Sequence, residues 1–144
     1  MSDRPSGASD YNTKIIEEFR ANQGRVDAEF LEGAPVILIH HIGAKSGIGR
    51  VTPVACSPQG DGRFAVWAAN GGSPAHPAWY HNLKAHPRIT VEVGTLTFPV
   101  VAEELHGTAR AQLWPKLVAQ YPSLGAAQAS TRRQFPVFML TRQD

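Results

Sequence analysis

Cysteine is nearly missing from this sequence. Cys56 stands alone, so no intramolecular disulfide and no cysteine-built metal knuckle can form. A reducing compartment suits such a chain, and the cytoplasm is the expected location. Charge of either sign is sparse too: 14 Lys and Arg face 12 Asp and Glu, a net charge of +2 over 144 residues. The basic residues are scattered rather than gathered into a stripe, which argues against a nucleic-acid partner but suits a small anionic ligand. No apolar run approaches the roughly 20 residues that span a bilayer. Residues 1–10 are polar and lack the hydrophobic core of a signal peptide, so they read as a flexible tail ahead of one domain, residues 11–144.

What is present reads as a mainly β chain with flanking helices. Tyr11, Ile15 and Phe19, with Ile16 beside them, give one apolar helix face opposite Lys14, Glu17, Glu18 and Arg20. Asp10 or Asn12 is the predicted cap of that helix. Gly24 breaks it, and residues 26–31 could continue it until Gly33 and Pro35 end any helix. Strands are predicted over 36–42, 50–57 and 64–69, joined by glycine-rich turns that include 58–62, as antiparallel neighbours are. Ser73-Pro74, or Pro77 one turn later, opens a helix that must stop before Pro87. A hairpin over 88–93 and 95–104 follows, then a helix over 108–121, a short helical piece and a last strand over 135–141. Pro136 suggests that this strand lies at an edge. Short links between consecutive strands predict a barrel or meander rather than a parallel doubly wound sheet.

Two stretches could carry chemistry. In the first, the turn Gly43 to Gly49 is followed by Arg50, Val51, Thr52 and Pro53. Lys45 and Arg50 flank it, so both cations can converge on one anion. The spacing is not that of a Walker loop. From the residues alone, a basic hairpin turn and a phosphate-binding turn both remain open. In the second, the strand ending Trp67-Ala68-Ala69-Asn70 runs through Gly71-Gly72 into a helix carrying Trp79, Tyr80, Asn82 and Leu83. A helix start offers backbone N–H groups to an anion or carbonyl, and the aromatics could wall a flat ligand. Trp79 and Leu83, four apart, could instead simply pack the helix on the barrel.

The histidines form no metal set. His40 and His41 are adjacent in a strand and face opposite sides. His76, His81 and His86 fall five apart, a spacing that drifts around a helix. Cys56 has no helix start or base near it in sequence and reads as a small strand residue. The amino-terminal helix admits two readings, as a cover over the barrel or ligand mouth, or as a membrane-surface contact giving access to a lipid quinone.

The order Gly-Ala-Lys-Ser-Gly-x-x-Arg-x-Thr-Pro, then Gly-Gly-Ser-Pro-x-x-Pro-x-Trp-Tyr-x-Asn-Leu, resembles the deazaflavin-dependent nitroreductases of actinobacteria, also described as coenzyme F-420-dependent quinone reductases. That resemblance implies a split β-barrel related to proteins that bind flavin mononucleotide. It also implies an oxidoreductase passing hydride from reduced coenzyme F-420 to a quinone, a conjugated enone or a nitroaromatic acceptor. Carried onto this sequence, Ala44, Lys45, Ser46 and Arg50 would meet the cofactor's phosphate. Val51, Thr52, Pro53, Val54 and Ala55 would line its tail or ring. Trp67, Ala68, Ala69 and Asn70 would follow the deazaflavin edge, and Ala78, Trp79, Tyr80, His81 and Asn82 would complete the pocket. Tyr121, as a proton donor or hydrogen-bond partner, and Leu124 would face the acceptor. Leu124 and Ala127 stand where nitroimidazole-activating members carry tyrosines, and Ala69 and Asn70 replace a hydroxyl and a lysine. Two other readings compete: a deazaflavin-storage protein without turnover, and a split-barrel oxidoreductase using flavin mononucleotide.

Overall fold

Alternation along the strands sets the architecture, as a computed structural model shows. It describes residues 6–27, 33–70 and 73–144, with side chains in the first helix from residue 11. The elements run α1 (Ser6–Ala21), β1 (Val36–Ile42), β2 (Gly49–Gly60), β3 (Arg63–Trp67), α2 (Ala78–Ala85), β4 (Arg88–Val93), β5 (Leu96–Glu104), α3 (Gly107–Gln120), α4 (Pro122–Ala129) and β6 (Val137–Arg142). All six strands pair antiparallel into a closed barrel in the order β1-β2-β3-β6-β5-β4. This is the mainly β, helix-flanked barrel that the sequence predicts.

β1 is apolar on both faces because both are covered. Ile37 and Ile39 point into the barrel and pack with Val66, Val91, Phe98, Val100, Phe138 and Leu140. Val36 and Leu38 point outward and are sealed by Ile15 and Phe19 of α1. Trp79 and Leu83 of α2 pack into the barrel core. On the outside of β3 and β6, Leu113, Leu117, Tyr121 and Leu124 close a second cluster over Ala65, Phe135 and Val137. Fully burying a side chain of the Phe19 or Ile39 class contributes about 1.5–3 kcal/mol, so the helices are integral to the fold.

Several boundaries differ from the sequence reading. α1 already runs at Ser6, so residues 6–10 are helical rather than a tail, and Asp10 and Asn12 lie inside the helix instead of capping it. Residues 1–5 lie outside the described residues. Val26 and Asp27 are not helical, and the rest of the expected continuation, residues 28–31, lies outside the described residues. β2 continues through Pro58 to Gly60, because a register shift between those two residues absorbs the missing proline donor. α2 starts at Ala78 with Pro77 as N-cap, so Pro74 does not open it. β6 starts at Val137 and is no edge strand, since it pairs with both β3 and β5. Pro136 sits just before it, where its carbonyl accepts the Ala68 N–H at 2.9 Å.

Candidate active site

The turn between β1 and β2 is built so that its side chains face outward. The Gly43 N–H donates to the Ile48 carbonyl at 2.9 Å and the Gly47 N–H to the Gly43 carbonyl at 3.0 Å. Ser46 folds back over the turn, where its Oγ accepts the Ile48 N–H at 3.1 Å. A Cβ on Gly43 would stand 2.3 Å from that oxygen, so a larger residue here would displace the Ser46 side chain from the turn. Lys45 and Arg50 are exposed. Among the described residues, neither forms an ion pair or a side-chain hydrogen bond.

These residues border a cleft of about 1150 Å³. Ala44, Lys45, Ser46, Arg50, Thr52 and Pro53 form one side, and Asn70, Ala78, Trp79, His81 and Asn82 form the other. A helix start leaves its first N–H groups without intrahelical acceptors, and at the start of α2 those are the amides of Ala78 and Trp79. A second lobe of about 280 Å³ shares Asn12, Pro53, Asn70 and Trp79 with the first. Val54, Ala55, Trp67 and Ala69 complete its barrel side, and Tyr11 and Ile15 of α1 roof it. Lys45 and Arg50 make the first lobe cationic. Among the described residues, no charged side chain borders the second.

Not every residue expected at the site reaches the cleft. Tyr80 turns into the barrel, where its ring lies 5.7 Å from Phe138 and its hydroxyl donates to Glu104 at 3.3 Å. Ala68 is fully buried in the core. Val51 borders a separate groove of about 490 Å³ with Arg88 and Val101. Tyr121 and Leu124 line neither lobe. Tyr121 is 7% exposed and packs its ring 5.5 Å from that of Trp67, behind the second lobe. Burial raises its phenol pKa, nearby Cys56 adds to the rise, and a hydrogen bond with Ser57 opposes it. The phenol therefore stays protonated at neutral pH.

Two further residues belong to the site's construction. Arg133, between α4 and β6, ties the loop after β3 in place. It donates to the carbonyls of Ala68 at 2.9 Å, Ala69 at 2.6 Å and Ser73 at 3.0 Å, and to Nδ1 of His76 at 2.8 Å. Burial first, then the Arg133 cation, lowers the pKa of His76, which keeps that ring an acceptor. His41 is the second. Only 2% exposed, it lies between Asn82 and Thr52 at 2.9 and 2.8 Å. Burial, helped by the charges of Arg50 and His40, pushes its pKa down to about 4. Nothing in the sequence near Arg133 signals its role, whereas the isolated polar pair His40-His41 inside an apolar strand marks His41 as a residue needing partners.

Acid–base alternatives are limited. Cys56 is buried, and burial pushes its thiol up to about 12, so it is no thiolate nucleophile. No group of three metal-ligating side chains occurs among the described residues. Among the same residues, no helix is long and apolar enough to cross a membrane.

Comparison with known proteins gives one consistent result. The profile of a family described as F420H(2)-dependent quinone reductase matches residues 12–142. An F420H(2)-dependent quinone reductase of Mycobacterium tuberculosis is 34% identical over 131 residues, spanning 87% of this chain and 85% of the relative. The solved structure of an F420-H2 dependent reductase, FDR-A, superposes with a TM-score of 0.65 at 38% identity, over 74% of this chain and 93% of that one. A second structure, described as a domain-swapped dimer, gives a TM-score of 0.67 at 33% identity, over 92% and 98%.

Proposed function

The chain belongs to the F420H(2)-dependent quinone reductase family, and from that premise we propose that its two-lobed cleft holds reduced coenzyme F-420 for hydride transfer to a quinone. The observation that carries this reading is the distribution of charge along the cleft. Two unpaired cations, Lys45 and Arg50, stand at one end, and a slot between Trp67, Trp79 and α1, bordered by no charged side chain among the described residues, stands at the other. The cofactor combines an anionic phosphate with a flat ring, and this donor set fits both.

In this assignment Lys45 and Arg50 receive the phosphate, helped by the amides at the start of α2. Pro53, Val54, Ala55, Trp67, Ala69, Asn70 and Trp79 bound the ring. Bound there, the cofactor supplies the hydride, and the protein supplies position and a water-poor wall. No catalytic triad or carboxylate pair is required. Arg133 holds the carbonyls of Ala68, Ala69 and Ser73 so that the wall keeps its shape. We assign Tyr121 to support of the Trp67 ring from behind. A conjugated enone or nitroaromatic presents the same electron-poor target as a quinone and belongs in the same acceptor test.

The α1 helix is best read as the cover of the ligand mouth. Ile15 and Phe19 pack on the barrel, which leaves Thr13, Lys14, Glu17 and Arg20 outward. That mixed polar face gives a membrane-surface contact little apolar area.

Mixing the purified protein with reduced coenzyme F-420 and menadione, and following cofactor reoxidation by absorbance, tests the function. Turnover that depends on both protein and acceptor is expected. Tight cofactor binding with no turnover on any quinone would instead mark a storage protein.

A further inference from the structure

The network that joins the glycine turn to α2 has a single consistent hydrogen pattern. The Ala44 N–H donates to Oδ1 of Asn82 at 2.9 Å, which fixes the orientation of that buried amide. Its Nδ2 therefore faces Nδ1 of His41, 2.9 Å away. An amide nitrogen can only donate, so Nδ1 must be the accepting, unprotonated ring nitrogen. The imidazole proton then sits on Nε2, 2.8 Å from Oγ1 of Thr52. Thr52 accepts that proton's hydrogen bond, and a hydroxyl has one hydrogen of its own left to give. Among the described residues nothing receives it, and Thr52 lines the cleft.

We propose that His41 is a positioning residue that leaves the Thr52 hydroxyl hydrogen to be donated into the cleft, so that the ligand atom received there is a hydrogen-bond acceptor. This rests on the reading of the cleft as the coenzyme F-420 site, and the cofactor's phosphate and ring carbonyl oxygens are of this class. The relay gives His41, which is buried at the edge of the cleft, a role in recognition exerted through Thr52. It also explains why a neutral imidazole is kept beside Arg50: a second ring proton would point at the Asn82 amide hydrogens. The low pKa of His41 agrees with that geometry.

The test has two parts. NMR of protein labelled with ¹⁵N-histidine, without ligand at pH 7, should show His41 as a neutral ring protonated at Nε2 alone. A ring protonated at Nδ1, or a cationic ring, would overturn the proposal. Fluorescence titration with coenzyme F-420 should then show Thr52→Val weakened about ten-fold or more and Thr52→Ser within about three-fold of wild type, as expected for a donor to a charged or polarised oxygen. His41→Gln should weaken binding in the Thr52 protein and cost nothing further in Thr52→Val, because both changes remove one interaction. Losses that add, or wild-type affinity in Thr52→Val, would overturn it. Since Val suits a strand position, that variant reads the effect even if His41→Gln folds poorly. A wild-type protein that fails to bind the cofactor at all would instead refute the cleft assignment underneath, and with it this proposal.

Discussion

The rings of Trp67 and Tyr121 lie 5.5 Å apart at an interplanar angle of 38°, which places the tyrosine behind the wall of the cleft rather than in it. Its contribution is packing, so Tyr121→Phe keeps the ring and loses only the Ser57 hydrogen bond. The expected cost is about 1 kcal/mol of stability, with kcat for menadione within about two-fold of wild type. Denaturant titration and steady-state kinetics check both. A folded Tyr121→Phe protein with kcat reduced about a hundred-fold would return the hydroxyl to the chemistry.

Arg133 should matter more than any residue of its exposure class. Its planar fork meets three carbonyls and an imidazole at once, and lysine cannot reproduce that set. Arg133→Lys is expected to lower stability by about 2–4 kcal/mol. It should weaken coenzyme F-420 binding as well, because the wall at Ala69 and Asn70 loses its tether. Thermal unfolding with a cofactor titration measures the pair of effects.

Acid should destabilise this fold through His41. Its folded-state pKa is about 4, below the unfolded value of about 6.5, so between those limits the unfolded chain binds a proton that the folded chain refuses. Stability therefore falls as pH drops from about 6.5 toward 4. Glu92 acts in the same direction at lower pH: hydrogen bonds from Arg20, chiefly, and then His40 hold its carboxyl below the usual range. Urea midpoints measured across pH 4 to 8 should show the loss, and His41→Gln should flatten the upper part of it.

Gly24 sets where α1 meets the β4–β5 hairpin. It has φ +93°, and a Cβ there would stand 2.5 Å from Cα of Gly94. Gly24→Ala is expected to cost about 1–3 kcal/mol. The clash is with backbone, so no side-chain rotation relieves it. A Gly24→Ala protein as stable as wild type would contradict the close packing of these two segments.

Strands whose sequences alternate or run apolar were legible from the residues. β1 and β4 were predicted at 36–42 and 88–93 and lie at those positions. The start of α1 was not, because Ser6, Gly7, Ala8 and Ser9 carry no apolar period to mark a face. At the site, both motifs come to one cleft, yet the split between Trp79 and Tyr80 could not be foreseen. Neighbours on a helix point about 100° apart, and only the docking of α2 on the barrel decides which of them borders the cleft. Arg133 was invisible for another reason. Its partners lie some 60 residues away in sequence, so the contact exists only once β3 and β6 have paired.

The most direct measurement of the central claim is a fluorescence titration of coenzyme F-420 against the wild-type protein and the double variant Lys45→Ala, Arg50→Ala. Each charged contact to a phosphate is worth about 1.5–3 kcal/mol, so the dissociation constant should rise about a hundred-fold or more while the unfolding midpoint stays near wild type. An unchanged dissociation constant would mean that the phosphate is bound elsewhere and that this cleft is not the cofactor site.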